Sequence, residues 1–442
     1  MAHLADISQR LLARCRANGA SEAEVSSSEE RGLSVNVRMG AVETVESTHD
    51  RGIAVTVYFD GRKGSASTAD LRDDSLAATV DQACAIARYT EADPAAGLAD
   101  AALMASPDAR GAWPDFDDWH PWALDADRAV DIALACEQAG RDADTRIVNS
   151  DGASVGSGHS LSVYANSHGF VGAERSTQHS IGCALIAGRG DDMERDGWYS
   201  VGLAEGDLDS PQSIGRRAAE RTLARMAPRS LATGTYPVLF TAEIARSLIG
   251  HLLGAVSGGA LYRRASFLLD SAGTRLFPDW FSIHERPFLR RGLRSAAFDA
   301  EGVATRESAL VEGGVLQRYV LGSYSARKLG LQTTANAGGV HNLDVAANGG
   351  ELDALLRGMG RGLLVTELMG QGVSTVTGDY SRGAGGFWVE DGAIAYPVSG
   401  ITIAGNLRAM FAAVEAVGTD IDTRSHIRTG SILVGGMTVA GS

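Results

Sequence analysis

The chain is poor in cysteine, in proline, in basic clusters and in long apolar runs, and each scarcity removes a class of protein. Its four cysteines, Cys15, Cys84, Cys136 and Cys183, form no close pair. No CxxC clamp exists and no disulfide framework is expected. Three of the four sit in helix-like apolar stretches and read as small core residues. No run approaches the ~18 consecutive apolar residues of a membrane span. The opening stretch MAHLADISQRLLARC is amphipathic and lacks the apolar segment of a secretory signal, so a cytoplasmic location is expected. With a net charge of −14 and no Lys/Arg block, a nucleic-acid ligand is not expected either.

Glycine is abundant, 54 residues against 10 prolines, which points to many tight turns between strands. At 442 residues, two or three domains are expected. Residues 5–18 suit a helix. Leu33–Val37 and Ala41–Glu46 alternate about Met39-Gly40, a hairpin signal, and Gly52–Phe59 turns at Asp60-Gly61 into Gly64–Thr68. A helix follows over about 73–89, with Leu76, Val80, Ala83, Cys84, Ile86 and Ala87 on one broad face.

Residues 91–120 lose periodicity and read as a linker. A helix over about 125–141 leads into a strand-rich block from Ile147 to Leu203, closed by a helix over about 213–226. The stretch His159–Ala165 echoes Ile53–Tyr58, a weak hint of duplication. Beyond Thr235 strands dominate, with a helix at 245–256 and a hairpin turning at Asp391-Gly392. Asn406 is placed as the cap of a last helix, LRAMFAAVEAVG, ahead of a glycine-rich tail. The fold class expected is α+β: an N-terminal helix and antiparallel-meander domain (1–115), a central strand-rich region (116–232) and a larger β-rich C-terminal domain (233–442), partly intertwined.

Several motifs could carry chemistry. Gly152-Ala-Ser154-Val-Gly156 matches G-x-S-x-G, but a nucleophile elbow needs a helix after the serine, and an alternating strand follows here, so the stretch reads as a turn between strands. His159, His168 and His179 lie on or beside successive strands, yet no spacing places them on one face, and they read as surface or turn histidines. Gly358–Gly362 and Gly383–Gly386 lack the strand–loop–helix order of a phosphate cradle and read as close backbone packing. His251, within ARSLIGHLLGAVSGGALYR, sits in an otherwise apolar helix. A zinc-peptidase helix supplies two histidines and a carboxylate base. Here Ser247 and Arg246 occupy the fourth and fifth positions before His251, the nearest upstream acid is Glu243, and no cysteine follows Cys183. His284-Glu285 is the only other compact His/acid pair downstream. On these residues His251 reads as a core or interface histidine and only weakly as a metal ligand.

Longer motifs carry a resemblance. Ile249-Gly-His251 with Ser257–Asp270, Ser323–Leu331, Ala337–Asn342, Thr366–Gly372 and Thr377–Val389 are similar to the PmbA (TldE) branch of the TldD/PmbA metallopeptidase family, also called modulators of DNA gyrase. The likeness covers nearly the whole chain. It implies a cytoplasmic peptidase acting on small or unfolded peptides. In that family the TldD branch carries zinc on H-E-x-x-x-H and a late cysteine, and the PmbA branch pairs with it to enclose a peptide channel. Carried over by position, the first histidine falls on Arg246, the glutamate on Ser247 and the second histidine on His251; the cysteine has no counterpart. The resemblance therefore implies a chain with no catalytic residues and no cofactor of its own. Zinc would sit in a TldD-like partner, peptides would be the substrates, and a homodimer is possible without the partner. The competing expectation is a self-sufficient hydrolase, with a metal near His251 and His284-Glu285 or a nucleophile at Ser154.

Overall fold

The computed structural model describes residues 1–109 and 111–441; Arg110 of the 91–120 segment and the terminal Ser442 lie outside them. The N-terminal part runs α1 (Ala2–Ala17), β1 (Glu22–Arg38), β2 (Ala41–Phe59), β3 (Arg62–Thr68), α2 (Asp73–Tyr89), and the central part α3 (Ala126–Arg141), β4 (Ile147–Asn166), β5 (Val171–Ala187), β6 (Glu194–Gly202), α4 (Pro211–Ala224). The order α-β-β-β-α thus occurs twice. Both halves enter one six-stranded antiparallel sheet in the order β3-β2-β1-β4-β5-β6, joined by the β1–β4 pairing. The sequence echo between 53–58 and 159–165 does not follow this repeat, because it matches a second strand to a first.

The local chemistry explains these elements. Met39-Gly40, Asp60-Gly61 and Asp391-Gly392 all have positive φ at both positions, the backbone a two-residue hairpin turn requires. Asp125 and Ser210 cap α3 and α4 by accepting from the backbone N–H of Arg128 and Ser213, and Pro211 opens α4 where its missing N–H costs nothing. Helix α1 buries Leu4, Ile7, Leu11 and Cys15, one face at helical spacing. Helices α3 and α4 cross at glycines: a Cβ on Gly215 would lie 2.0 Å from the Cys136 carbonyl oxygen. The strands expected at 41–46 and 52–59 are a single strand, since residues 47–51 keep pairing with β1. No alternation reveals this, because residues 41–51 are exposed on both faces.

The C-terminal part adds β7 (Gly234–Phe240), α5 (Ala242–Ala255), α6 (Gly258–Tyr262), β8 (Ile283–Glu285), β9 (Ser308–Glu312), β10 (Val315–Leu316), α7 (Ser323–Leu329), β11 (Leu343–Val345), α8 (Leu352–Met359), β12 (Gly362–Met369), β13 (Asp379–Glu390), β14 (Ala393–Asn406), α9 (Leu407–Ala412), β15 (Val414–Val417), β16 (Ile427–Arg428) and β17 (Ile432–Ala440). Among the described residues these strands form a six-stranded sheet, β14-β13-β12-β7-β17-β15, and a five-stranded one, β10-β9-β8-β11-β16. Asn406 does cap a helix, but it ends at Ala412. Val414, with its branched side chain, pairs with Val434 instead of continuing the helix. The glycine-rich tail is β17, which lies against β7 with Val434 and Val439 fully buried. The fold class is α+β as expected, and the regions interlock: Arg327 of α7 donates to the carbonyls of Ala95, Gly97 and Leu98, and the Ala105 N–H reaches the Gly302 carbonyl.

Candidate functional site: the α5 helix and an inter-sheet cleft

Helix α5 is held by its apolar stripe. Ala245, Leu248, Ile249, Leu252 and Ala255 are buried in the C-terminal core, where Phe277 stacks on Phe281 at 4.2 Å and on Phe411 at 4.8 Å. The other stripe carries Glu243, Arg246, Ser247 and His251. Arg246 Nη2 donates to the Tyr199 hydroxyl at 3.1 Å, and Ser247 Oγ donates back to the Ile244 carbonyl at 2.7 Å. His251 Nε2 is buried without a hydrogen-bond partner, and its ring meets Tyr380 edge-on at 5.8 Å. Burial, helped by the Arg382 charge, lowers its pKa and favours the neutral imidazole.

One turn earlier the helix is surrounded by arginines. Glu243 accepts from Arg221 at 2.7 Å and from Arg424 at 3.1 Å. Arg424 lies over the rings of Trp198 (3.9 Å) and Tyr199 (4.4 Å) and donates to Asp422 at 2.9 Å. Burial works against ionisation of Asp422, but the Arg424 hydrogen bonds outweigh it and hold the carboxyl below its usual range. Zinc needs three or four neutral nitrogen, thiolate or carboxylate donors around one point. Positions 246, 247 and 251 present a cation, a hydroxyl already engaged with the backbone, and one imidazole, and Glu243, the carboxylate of the same helix, is held by two guanidinium groups. That donor set does not fit zinc. Among the described residues, no three His, Cys, Asp or Glu side chains gather in a way that could hold a metal ion.

The other candidates do not converge on α5. His284 and Glu285 are successive strand residues and face apart: His284 Nε2 pairs with Glu312 at 2.8 Å near solvent, whereas Glu285 is 2% exposed. Glu285 receives the His341 N–H and Nδ1, Asn336 and Arg318, a buried polar network. Ser154 is not in the expected turn between strands: it lies within β4, paired on one side with Asn36 and on the other with Gly182. His159 meets the edge of Trp119 and His168 is exposed at a turn. His179 differs from the expected surface or turn position. It is 1% exposed, its two ring nitrogens bonded to Ser157 Oγ and the His120 carbonyl, because the 113–122 segment folds over it. At Gly386 a Cβ would lie 1.9 Å from the Leu364 carbonyl oxygen, so close backbone packing is the role of that glycine.

Sequence reasoning missed a cleft of about 920 Å³. Its floor is the face of the six-stranded sheet carrying Gly52, Ser28, Ser162 and Glu174, one cross-strand row through β2, β1, β4 and β5. Its roof comes from residues 113–118, 292–300 and 337–341. Small polar residues at every second position signal a polar sheet face. Nothing in the pattern announces that a distant part of the chain covers it. Glu174 is the charged member of the row. One of its carboxylate oxygens is buried without a partner, and burial, with a smaller push from Asp118, raises its pKa to about 7.

The chain thus joins a doubled α-β-β-β-α sheet to a β-rich C-terminal part that carries α5. Models of the PmbA/TldA metallopeptidase family match residues 23–87 (domain 1), 119–226 (central domain) and 233–441 (C-terminal domain), and the chain belongs to that family. It is 50% identical over 426 residues to the Metalloprotease PmbA of Escherichia coli O157:H7, covering 96% of this chain and 94% of that one. It is 48% identical to the PmbA homolog of Haemophilus influenzae, covering 95% and 92%. A Bacteroides thetaiotaomicron crystal structure, provisionally named a modulator of DNA gyrase, superposes with a TM-score of 0.92 at 28% identity, over 99% of this chain and 98% of that one.

Proposed function

We propose that this chain is the PmbA-type subunit of a two-chain cytoplasmic peptidase: it carries no catalytic residues, and a TldD-like partner brings the zinc. The observation that carries the reading is the donor set on α5, where Arg246 and Ser247 occupy the positions that a ligand and a base would need. The chemistry left to this chain is binding. The inter-sheet cleft offers a floor of small hydroxyl-bearing residues, and the Ala41–Gly52 stretch of β2, which among the described residues pairs only with β1, offers an open strand edge to an extended peptide. In this reading the partner's metal supplies an activated water, and this chain orients the peptide and excludes solvent.

The test is zinc content and peptidase activity of the purified chain, alone and mixed with a TldD-like chain from the same cell. Near-zero zinc alone, activity only in the mixture and a complex by gel filtration are expected. One zinc per chain with activity alone, both lost in His251→Ala, would overturn it.

A further inference from the structure

The unpartnered oxygen of Glu174 is an anomaly. Leaving a buried acceptor unpaired costs about 1–3 kcal/mol, more for a charged group, and native structures keep few of them. Its row neighbours are too small to help: Ser162 lies directly across the strand pair, and beyond it come Ser28 and Gly52. In the next row Ser160 and Ser176 satisfy each other at 2.9 Å. The cations near the cleft are directed elsewhere, Arg175 over the Trp119 ring at 5.4 Å and Arg294 toward the Gly338 carbonyl at 2.7 Å. Asp118, on the roof, adds a second carboxyl near Glu174 and is itself pushed above its usual range, chiefly by burial. Glu174 thus lines a half-open cleft whose volume is near the top of the ~300–1,000 Å³ range of ligand sites.

We infer that Glu174, with Asp118 opposite, is a cation subsite of the cleft and takes the primary ammonium of a bound peptide. The inference rests on the reading of the cleft as a peptide site. An ammonium presents three donors and no acceptor, the complement of one carboxyl with an unpartnered oxygen and a second carboxyl near it. The flat row of Gly52, Ser28 and Ser162 leaves room for an extended backbone to run on from the anchored group, with hydroxyls that can both donate to and accept from peptide units. The ammonium can be an α-amino terminus or a lysine side chain.

Calorimetric titration of the full chain with three lysine-poor hexapeptides separates the possibilities: a free-amine form, its N-acetylated form, and an N-acetylated form with one internal lysine. Free-amine binding at least tenfold tighter than acetylated binding is expected, with the preference abolished in Glu174→Gln and reduced in Asp118→Asn. Recovery of affinity by the N-acetylated peptide that keeps a free internal lysine would assign the subsite to side-chain ammonium as well, and its absence to the amino terminus; both support the subsite. Equal binding of free and acetylated peptides, or a preference that survives in Glu174→Gln with the variant folded by circular dichroism, overturns the subsite while leaving the cleft as a peptide site. Absence of binding by all three peptides overturns the peptide reading of the cleft and the subsite with it.

Discussion

Arg246 reaches across from α5 to the hydroxyl of Tyr199 on β6, 3.1 Å away, and so ties the C-terminal helix to the six-stranded sheet. A guanidinium thus performs a structural task at the position where the family resemblance places a metal ligand. The neighbouring Arg424, stacked over Tyr199 and bonded to Glu243, strengthens the same joint.

Rebuilding the motif is therefore not enough to rebuild a site. The double variant Arg246→His, Ser247→Glu restores H-E-x-x-x-H, but no thiolate follows and Arg424 stays beside Glu243. Zinc well below one per chain after dialysis, by elemental analysis, is the expected result. Stoichiometric zinc would reveal a third ligand that the donor chemistry does not show.

Glu243→Ala leaves Arg221 and Arg424 facing each other in a half-buried setting. Removing one member of a buried ion network costs about 3–5 kcal/mol. The Glu243 side chain is 13% exposed, so a loss near the lower end is expected. A denaturant midpoint unchanged from the parent would show that Asp196, which also holds Arg221, and Asp422, which also holds Arg424, suffice for the two arginines.

Gly215→Ala tests the α3–α4 crossing. The new methyl would sit 2.0 Å from the Cys136 carbonyl oxygen, a backbone atom that cannot swing aside. Overpacking of about 1–3 kcal/mol or more is expected. Gly206→Ala, where a Cβ meets nothing within 4 Å, serves as the matched control and should not move the melting temperature.

Glu174 makes stability depend on pH. Its carboxyl titrates at about 7 in the folded chain against 4.5 for an ordinary glutamate. A raised carboxyl pKa gives stability that is fully present below about 4.5 and is lost as pH rises toward 7. Glu174→Gln removes the ionising group, so the variant should gain on the parent as pH rises from 5 to 8, by on the order of 2–3 kcal/mol at most. Parallel stability curves across that range would refute the buried, unpaired state of this carboxyl.

Much of the fold is legible locally. Asp60-Gly61 and Asp391-Gly392 announce their hairpins because only a few residues tolerate left-handed backbone at both turn positions, and Met39-Gly40 does so through its glycine between two alternating runs. Helix α2 follows from its apolar spacing, except that Ile86, expected on the same face, is exposed. The reading fails where tertiary contacts overrule local preference. Val414–Val417 has a helical sequence context but pairs with β17, and the glycines of 435–436 lie inside that paired strand rather than in a tail. His179 carries no signal of burial, because its partners Ser157 and His120 come from 22 and 59 residues away.

The sequence by itself determined the family and the unusual chemistry of α5, since the identity of residues 246, 247 and 251 is a covalent fact that no folding can change. It also determined the turns and most helices, whose causes lie within a few neighbouring residues. Only the tertiary structure decided that Arg246 meets Tyr199, that Glu285 belongs to a buried network and not to a metal site, and that a roof drawn from three distant segments closes over Glu174. Those relationships depend on burial, which converts an ordinary glutamate on a polar strand into an unpaired carboxyl in a cleft, and burial arises only when residues far apart in the chain are packed together.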